Sequence, residues 1–242
     1  MKRYIRAEKY DKDFVNENMM GPNSMWLLED VCEHLDLRSG MRVLDMGCGK
    51  GLTSIFLAKE YGVTVYATDL WISATENYER FKSFGLENQI IPIHAEAHNL
   101  PYADEYFDAV ISIDSYHYFG ANDTYLPEHL ARLVKRGGQF GIAAPGLTKE
   151  LNGIIPDSIK FVWKEDQMDD LLTFRSVDWW KSTWGKSGLV SITSSGEIED
   201  AKAIWYEWAA IARKRLGFND DEMLDADKEN YLTLVYFTAV KK

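Results

Sequence analysis

The run Val43-Leu44-Asp45-Met46-Gly47-Cys48-Gly49-Lys50-Gly51 limits what this chain can fold into more than any other segment. An apolar, strand-like stretch ends in three glycines spaced two apart, and Leu52, Ile55, Phe56 and Leu57 then follow in a helical pattern. Glycine tolerates a left-handed backbone and lets a ligand touch the main chain, so the segment reads as strand, tight turn and helix with room for a bound molecule. Such units build open α/β sheets, whose strand ends collect ligands. A dinucleotide fingerprint, G-x-G-x-x-G, would place its third glycine where Leu52 stands. Here that glycine comes one residue early, which disfavours a dehydrogenase.

Beyond the turn the chain alternates short β-rich runs with helical patterns, as a helix-covered parallel sheet requires. Strands are expected at residues 42–46, 63–68, 89–93, 107–113, 139–144 and 189–193, with a long alternating strand at 231–240. Helices are expected at 24–35, capped by Ser24, and at 74–84, 125–134, 177–186 and 201–216, with an acidic loop at 219–230. No internal repeat or low-complexity tract breaks the pattern, so residues 1–242 read as one domain with an N-terminal helical arm over 1–38. The irregular stretch 147–176 reads as an insertion, or lid, over the strand ends, where loops shape substrate pockets.

The 38 acidic and 27 basic side chains give a formal charge of -11. That balance repels phosphate backbones and anionic surfaces on average, so neither nucleic acid nor a membrane is an expected partner. Cys32 and Cys48 form no CxxC pair or Cys/His cluster, which speaks against a disulfide scaffold and against a metal site. The first residues lack the apolar stretch of a secretory signal, and no run of about 18 apolar residues occurs, so a cytoplasmic protein is expected.

With Asp45 two residues ahead of the first glycine, the opening segment resembles the cofactor motif of class I S-adenosylmethionine-dependent methyltransferases. The resemblance extends over about residues 40–146. It implies S-adenosylmethionine as cofactor and a Rossmann-like, doubly wound α/β fold, with a seven-stranded, mostly parallel sheet, an antiparallel last strand and helices on both faces. It also implies residue roles. Gly47, Cys48, Gly49 and Gly51 would lie under the methionine part, and Asp45 would help to hold its amino group. Asp69, ending the run Val63-Thr64-Val65-Tyr66-Ala67-Thr68-Asp69-Leu70, would accept both ribose hydroxyls, with Leu70 beside it.

His94-Ala95-Glu96-Ala97-His98-Asn99-Leu100-Pro101 looks like the family's third signature, with Glu96 in place of aspartate. Glu96 would take the adenine amine and the backbone at Ala97 would meet the ring. The stretch from Phe107 to Tyr118 resembles the fourth strand and its turn. Ile113 and Asp114 would flank the cofactor, while Ser115, Tyr116, His117 and Tyr118 would face the acceptor. Upstream, Met19-Met20-Gly21-Pro22-Asn23 stands where many relatives fold a segment over the site, making Asn23 and Tyr10 acceptor-side candidates, with a capped turn and plain packing as alternatives.

Together these motifs imply methyl transfer to a small-molecule acceptor by in-line displacement, with positioning as the dominant contribution. His117 is the candidate base where the acceptor must lose a proton, since a free imidazole titrates near neutrality. Trp180 and Trp184 lie four apart on one helix face, and Trp205 and Trp208 three apart. Such stripes build either a core or an aromatic-walled acceptor pocket, with Trp180 as the candidate wall. Two alternatives stay open. One is a cyclopropane-synthase-like lipid-modifying enzyme, disfavoured by Glu165, Asp166, Asp169 and Asp170 in the insertion. The other is a non-catalytic S-adenosylmethionine-binding protein.

Overall fold

Four of the five residues of β1 (Arg42–Met46) are buried, as a strand covered on both faces must be. The computed structural model describes residues 4–151, 154–157 and 171–242. In it β1 pairs in parallel with β2 (Thr64–Asp69) on one side and with β4 (Phe107–Ile113) on the other, and β3 (Ile90–His94) extends the sheet past β2. β5 (Val134–Leu147) runs parallel to β4, and β6 (Arg175–Ser176) pairs with its far end. β7 (Val190–Glu197) and β5 enclose β8 (Leu232–Lys241), which runs antiparallel to both and completes the order β3-β2-β1-β4-β5-β8-β7. The mostly parallel sheet with an antiparallel last strand is therefore the observed one.

Helices α1 (Lys12–Asn18), α2 (Ser24–Cys32), α3 (Leu52–Tyr61) and α4 (Ala74–Ser83) come from the first half. They are followed by α5 (Tyr116–Gly120), α6 (Val177–Lys186), α7 (Ala201–Leu216) and α8 (Asp220–Ala226). No helix among the described residues is long and apolar enough to cross a membrane.

Some elements differ from the sequence expectation, each for a local reason. Asn23, not Ser24, caps α2, its side-chain oxygen accepting from the N–H groups of Met25 and Trp26. The helix expected at 125–134 is a π turn over Leu126–Leu130 and a 3-10 turn over Ala131–Leu133, because Val134 already pairs with Phe107 as the start of β5. α8 occupies the expected acidic loop, with Asp220, Asp221 and Glu222 in its first turn, where the helix dipole favours negative charge. β6 is two residues long, too short to leave a periodic signal. Half of the expected insertion, with Trp163 and the four acids Glu165, Asp166, Asp169 and Asp170, lies outside the described residues.

Two apolar clusters sandwich the sheet, and β8 feeds both: Leu232 and Leu234 enter one, Val235, Phe237 and Ala239 the other. Tyr116 and Trp180 belong to the second cluster at 0% exposure, Trp180 stacked on Phe237 at 5.0 Å between ring centroids. Both were expected on the acceptor side. Their α5 and α6 faces turn instead into the core, where large rings bury most area. Trp184 packs edge-on to Phe140 and Phe237 at 5.3 and 4.9 Å. Trp184→Ala should therefore cost about 3–5 kcal/mol in urea unfolding; a loss under about 1 kcal/mol would show that this cluster does not hold the sheet.

Candidate cofactor and acceptor site

Gly47, Gly49 and Gly51 all have left-handed backbones, with φ of 69, 52 and 76 degrees, so the loop after β1 needs glycine at every second position. Their surroundings divide the work. A Cβ on Gly47 would stand 2.4 Å from Ser115 Cβ, and one on Gly51 2.4 Å from the Phe81 ring, so these two permit close packing. A Cβ on Gly49 would meet only Met20 Sδ, at 3.0 Å. Gly49 is the open face of the loop.

Asp69, at the end of β2, ties this loop to the next one. One carboxylate oxygen accepts from the Gly49 N–H at 2.8 Å, and the other accepts from the N–H groups of Trp71 and Ile72 at 2.7 and 2.9 Å. The Thr68 carbonyl accepts from the N–H groups of Gly47 and Cys48 at 2.8 and 3.1 Å. Around this knot, at the carboxyl ends of the strands, opens a cavity of about 290 Å³. Gly47 and Gly49 line it from the β1 loop, Asp69, Leu70 and Trp71 from the β2 end, and Glu96, Ala97 and His98 from the segment after β3. Asp114, Ser115, Tyr118 and Phe119 line it from the β4 end, and Met20 from the N-terminal arm. A smaller space of about 50 Å³ adjoins it, sharing Met20, Gly47, Gly49 and Asp114 and adding Cys48 and Lys50.

These residues fit S-adenosylmethionine. Gly49 leaves its backbone approachable, Asp69 keeps lone pairs beyond its three backbone donors, and Leu70, Ala97 and Leu100 give an apolar surface for a flat ring.

Other candidates lie elsewhere. Asp45 stands behind the loop at 1% exposure, one oxygen accepting from the hydroxyls of Thr53 and Ser54, both at 2.6 Å, the other without a partner. Burial pushes its pKa up to about 6. It fastens α3 to β1 and does not line the cavity. Ile113 is buried in the core. Glu96 lines the cavity, but both its oxygens are engaged by His98, through the ring Nδ1 at 2.7 Å and the backbone N–H at 2.9 Å, which holds the carboxyl below its ordinary range.

Three acceptor-side expectations are corrected. Tyr10 packs against the core on Phe56 and bonds Glu60, both residues of α3, and it does not line the cavity. Asn23 spends its side chain on the α2 cap. His117 is 1% exposed, with its ring against Tyr118 and Phe174 and its Nδ1 unpartnered, and it lines neither cavity. Burial pushes its pKa down to about 3, too low for a proton acceptor near neutrality. On α5 the next two residues, Tyr118 and Phe119, face the cavity instead.

Sequence reasoning did not single out Met20, Trp71 or Phe119. Trp71 is 67% exposed and meets Tyr118 edge-on at 5.7 Å, so two aromatic rings stand at the mouth. The signal for Trp71 was its place two residues past the β2 acid; for Met20 it was the turn already suspected of covering the site.

Residues 43–138 match the family model described as a methyltransferase domain. Methyltransferase GfsG of Streptomyces halstedii is 36% identical over 118 residues, covering 48% of this chain and 42% of that protein. A fatty-acid O-methyltransferase of Mycolicibacterium smegmatis is 34% identical over 103 residues, covering 42% of this chain and 36% of that protein. The chain thus spans less than half the length of either relative. Among solved structures, geranyl diphosphate C-methyltransferase from Streptomyces coelicolor A3(2) superposes over 89% of this chain and 76% of its own, with a TM-score of 0.73 at 13% identity, a likeness of fold alone. A glycine loop of this spacing, an acid closing the second strand and the domain match over the same residues carry one conclusion: residues 43–138 of the chain are similar to a methyltransferase domain.

Proposed function

We propose that this protein is an enzyme that transfers a methyl group from S-adenosylmethionine to a small-molecule acceptor by in-line displacement. The observation that carries the proposal is the Asp69–Gly49 tie at the rim of a cavity of suitable size. When bound, the cofactor supplies an electrophilic methyl on a sulfonium, whose departure needs no acid. The chain's own task is then to hold and align. Asp69 would take the ribose hydroxyls, Gly49 would let the methionine part approach the backbone, and Leu70 and Ala97 would sandwich the adenine with Glu96 at its edge. Gly47, Gly51 and Cys48 would keep the loop in shape, and Asp45 would act through Thr53 and Ser54 by fixing α3 against β1. Ile113 would support Asp114 from below. Alignment of this kind can supply about 7 to 11 kcal/mol in favourable cases.

The two curated relatives act on different acceptors or leave theirs unnamed, so the fold does not choose one. Free, buried Cys32 and Cys48 support a reducing, cytoplasmic setting, and the charge of -11 supports a small molecule over nucleic acid as partner.

Asp69→Ala should weaken S-adenosylmethionine binding by about 1 to 3 kcal/mol, read by calorimetry on the folded variant. Unchanged affinity would remove Asp69 from the ribose role. Gly49→Val, at a left-handed position beneath Met20, should abolish measurable binding; micromolar affinity in that variant would contradict the proposed approach to the loop. His117→Gln should keep the shape of the pH–turnover profile between pH 6 and 9, because an imidazole titrating near 3 is neutral throughout. A profile that flattens in this variant would restore His117 as the base.

A further inference from the structure

Asp114 takes no part in the tie that shapes the glycine loop, and it stands where the two cavities meet. β4 gives way to a left-handed residue here, with φ of 58 degrees, while the Asp114 N–H stays bonded to the Ala143 carbonyl at 2.7 Å. Aspartate accepts this backbone more readily than most residues, and the turn takes its side chain out of the strand's alternation. Gly21 makes room for it: a Cβ there would stand 1.7 Å from Asp114 Oδ2. The carboxylate is therefore roofed by the N-terminal turn, and no side-chain donor among the described residues hydrogen-bonds to it.

Carboxylates outnumber basic side chains around this group. Asp220 at the head of α8, which accepts from the indole N–H groups of Trp205 and Trp208 at 3.2 Å, adds its field to that of Asp114. The other acidic or basic residues on the larger cavity, apart from the Tyr118 phenol, are Asp69, Glu96 and His98, the last already paired with Glu96. Lys50 lines the smaller space, which Asp114 also borders, and does not line the larger cavity. In the larger cavity an anionic acceptor would meet the carboxylates of Asp69, Glu96 and Asp114, with His98, already paired with Glu96, as the one described basic side chain on its wall, and a neutral apolar one would leave Asp114 unpaired.

We propose that the acceptor's nucleophile is an amine, which Asp114 binds as its ammonium form and then relieves of a proton. The proposal rests on the methyltransferase reading and names its substrate class. An ammonium brings the donors that the carboxylate lacks, and Tyr118, Phe119 and Trp71 offer ring faces that attract a cation. Desolvation, reinforced by Asp220, raises the Asp114 pKa to about 8, in the range where a carboxyl can hold a proton from an amine at neutral pH; a bound cation draws it back down. In the step, the ammonium gives one proton to Asp114, and the freed nitrogen pair forms the N–C bond as the C–S pair returns to sulfur. The products are an N-methylated ammonium and S-adenosylhomocysteine, and Asp114 releases its proton to solvent.

The test begins with S-adenosylhomocysteine binding to the wild-type chain, which belongs to the underlying reading and fails or succeeds independently. The complex is then screened at pH 8 by thermal shift and by product mass spectrometry against matched sets of primary and secondary amines, alcohols, phenols and carboxylates. Amines should stabilise the complex and be methylated, with at least about tenfold preference over their alcohol matches, and Asp114→Asn should lose that preference. Because a desolvated carboxyl resists ionisation, the folded chain should lose stability relative to the Asn variant as pH rises from about 4 through about 8. Asp114→Asn should thus melt higher than wild type at pH 9, with the gap closing near pH 4, which also shows that the variant folds. Alcohols or carboxylates taken in preference, no stabilising amine, or an unchanged preference in the Asn variant would each overturn the amine assignment while S-adenosylhomocysteine binding left the methyltransferase intact.

Discussion

The carboxylate of Asp69 is the interaction on which the ligand end of this sheet depends. A loop with three left-handed glycines has little stiffness of its own, since glycine loses the most conformational freedom on ordering. Asp69 holds it by accepting one N–H from the loop and two from the segment leading to α4, with hydrogen bonds strengthened by the carboxylate's charge. Two βα units are joined at one side chain. The cavity opens above that joint because the loop's remaining backbone faces outward.

The joint can serve this purpose only on a rigid platform, and the aromatic cluster on one face of the sheet supplies it. Trp180, Trp184, Tyr116 and Phe237 fill the space between α5, α6 and β8. The short α5 therefore has two duties: Tyr116 and His117 anchor it in the interior, and Tyr118 and Phe119 present rings to the cavity. The buried, unpartnered His117 Nδ1 is the polar cost of that arrangement. Across the cleft, Gly21 lets the N-terminal turn press against Asp114, so the arm is part of the site without using Tyr10 or Asn23.

Much of the architecture was legible. β1 and β4 fall on the expected residues because buried parallel strands leave continuous apolar runs, and α6 and α7 because their apolar stripes are long. Motif and cavity also coincide at Gly49, Asp69, Leu70 and Ala97, where backbone shape and ligand approach demand the same residue types. What the sequence withheld depends on direction. Asp45 looks equally placed to reach a ligand, and only the hydroxyls of Thr53 and Ser54, brought over by α3, show that it points behind the loop. His117 and Tyr118 differ by one helical step of about 100 degrees, which separates core from cavity and which no motif encodes. The π and 3-10 turns before β5 follow from strand pairing across the sheet, a non-local cause absent from any local pattern.

A crystal structure of the chain with S-adenosylhomocysteine tests the central claim most directly. The ribose hydroxyls should lie on Asp69, the adenine between Leu70 and Ala97, and the sulfur toward the Asp114–Tyr118 side of the cavity. Ligand density away from the Gly47–Gly51 loop, or a ribose that leaves Asp69 untouched, would contradict it.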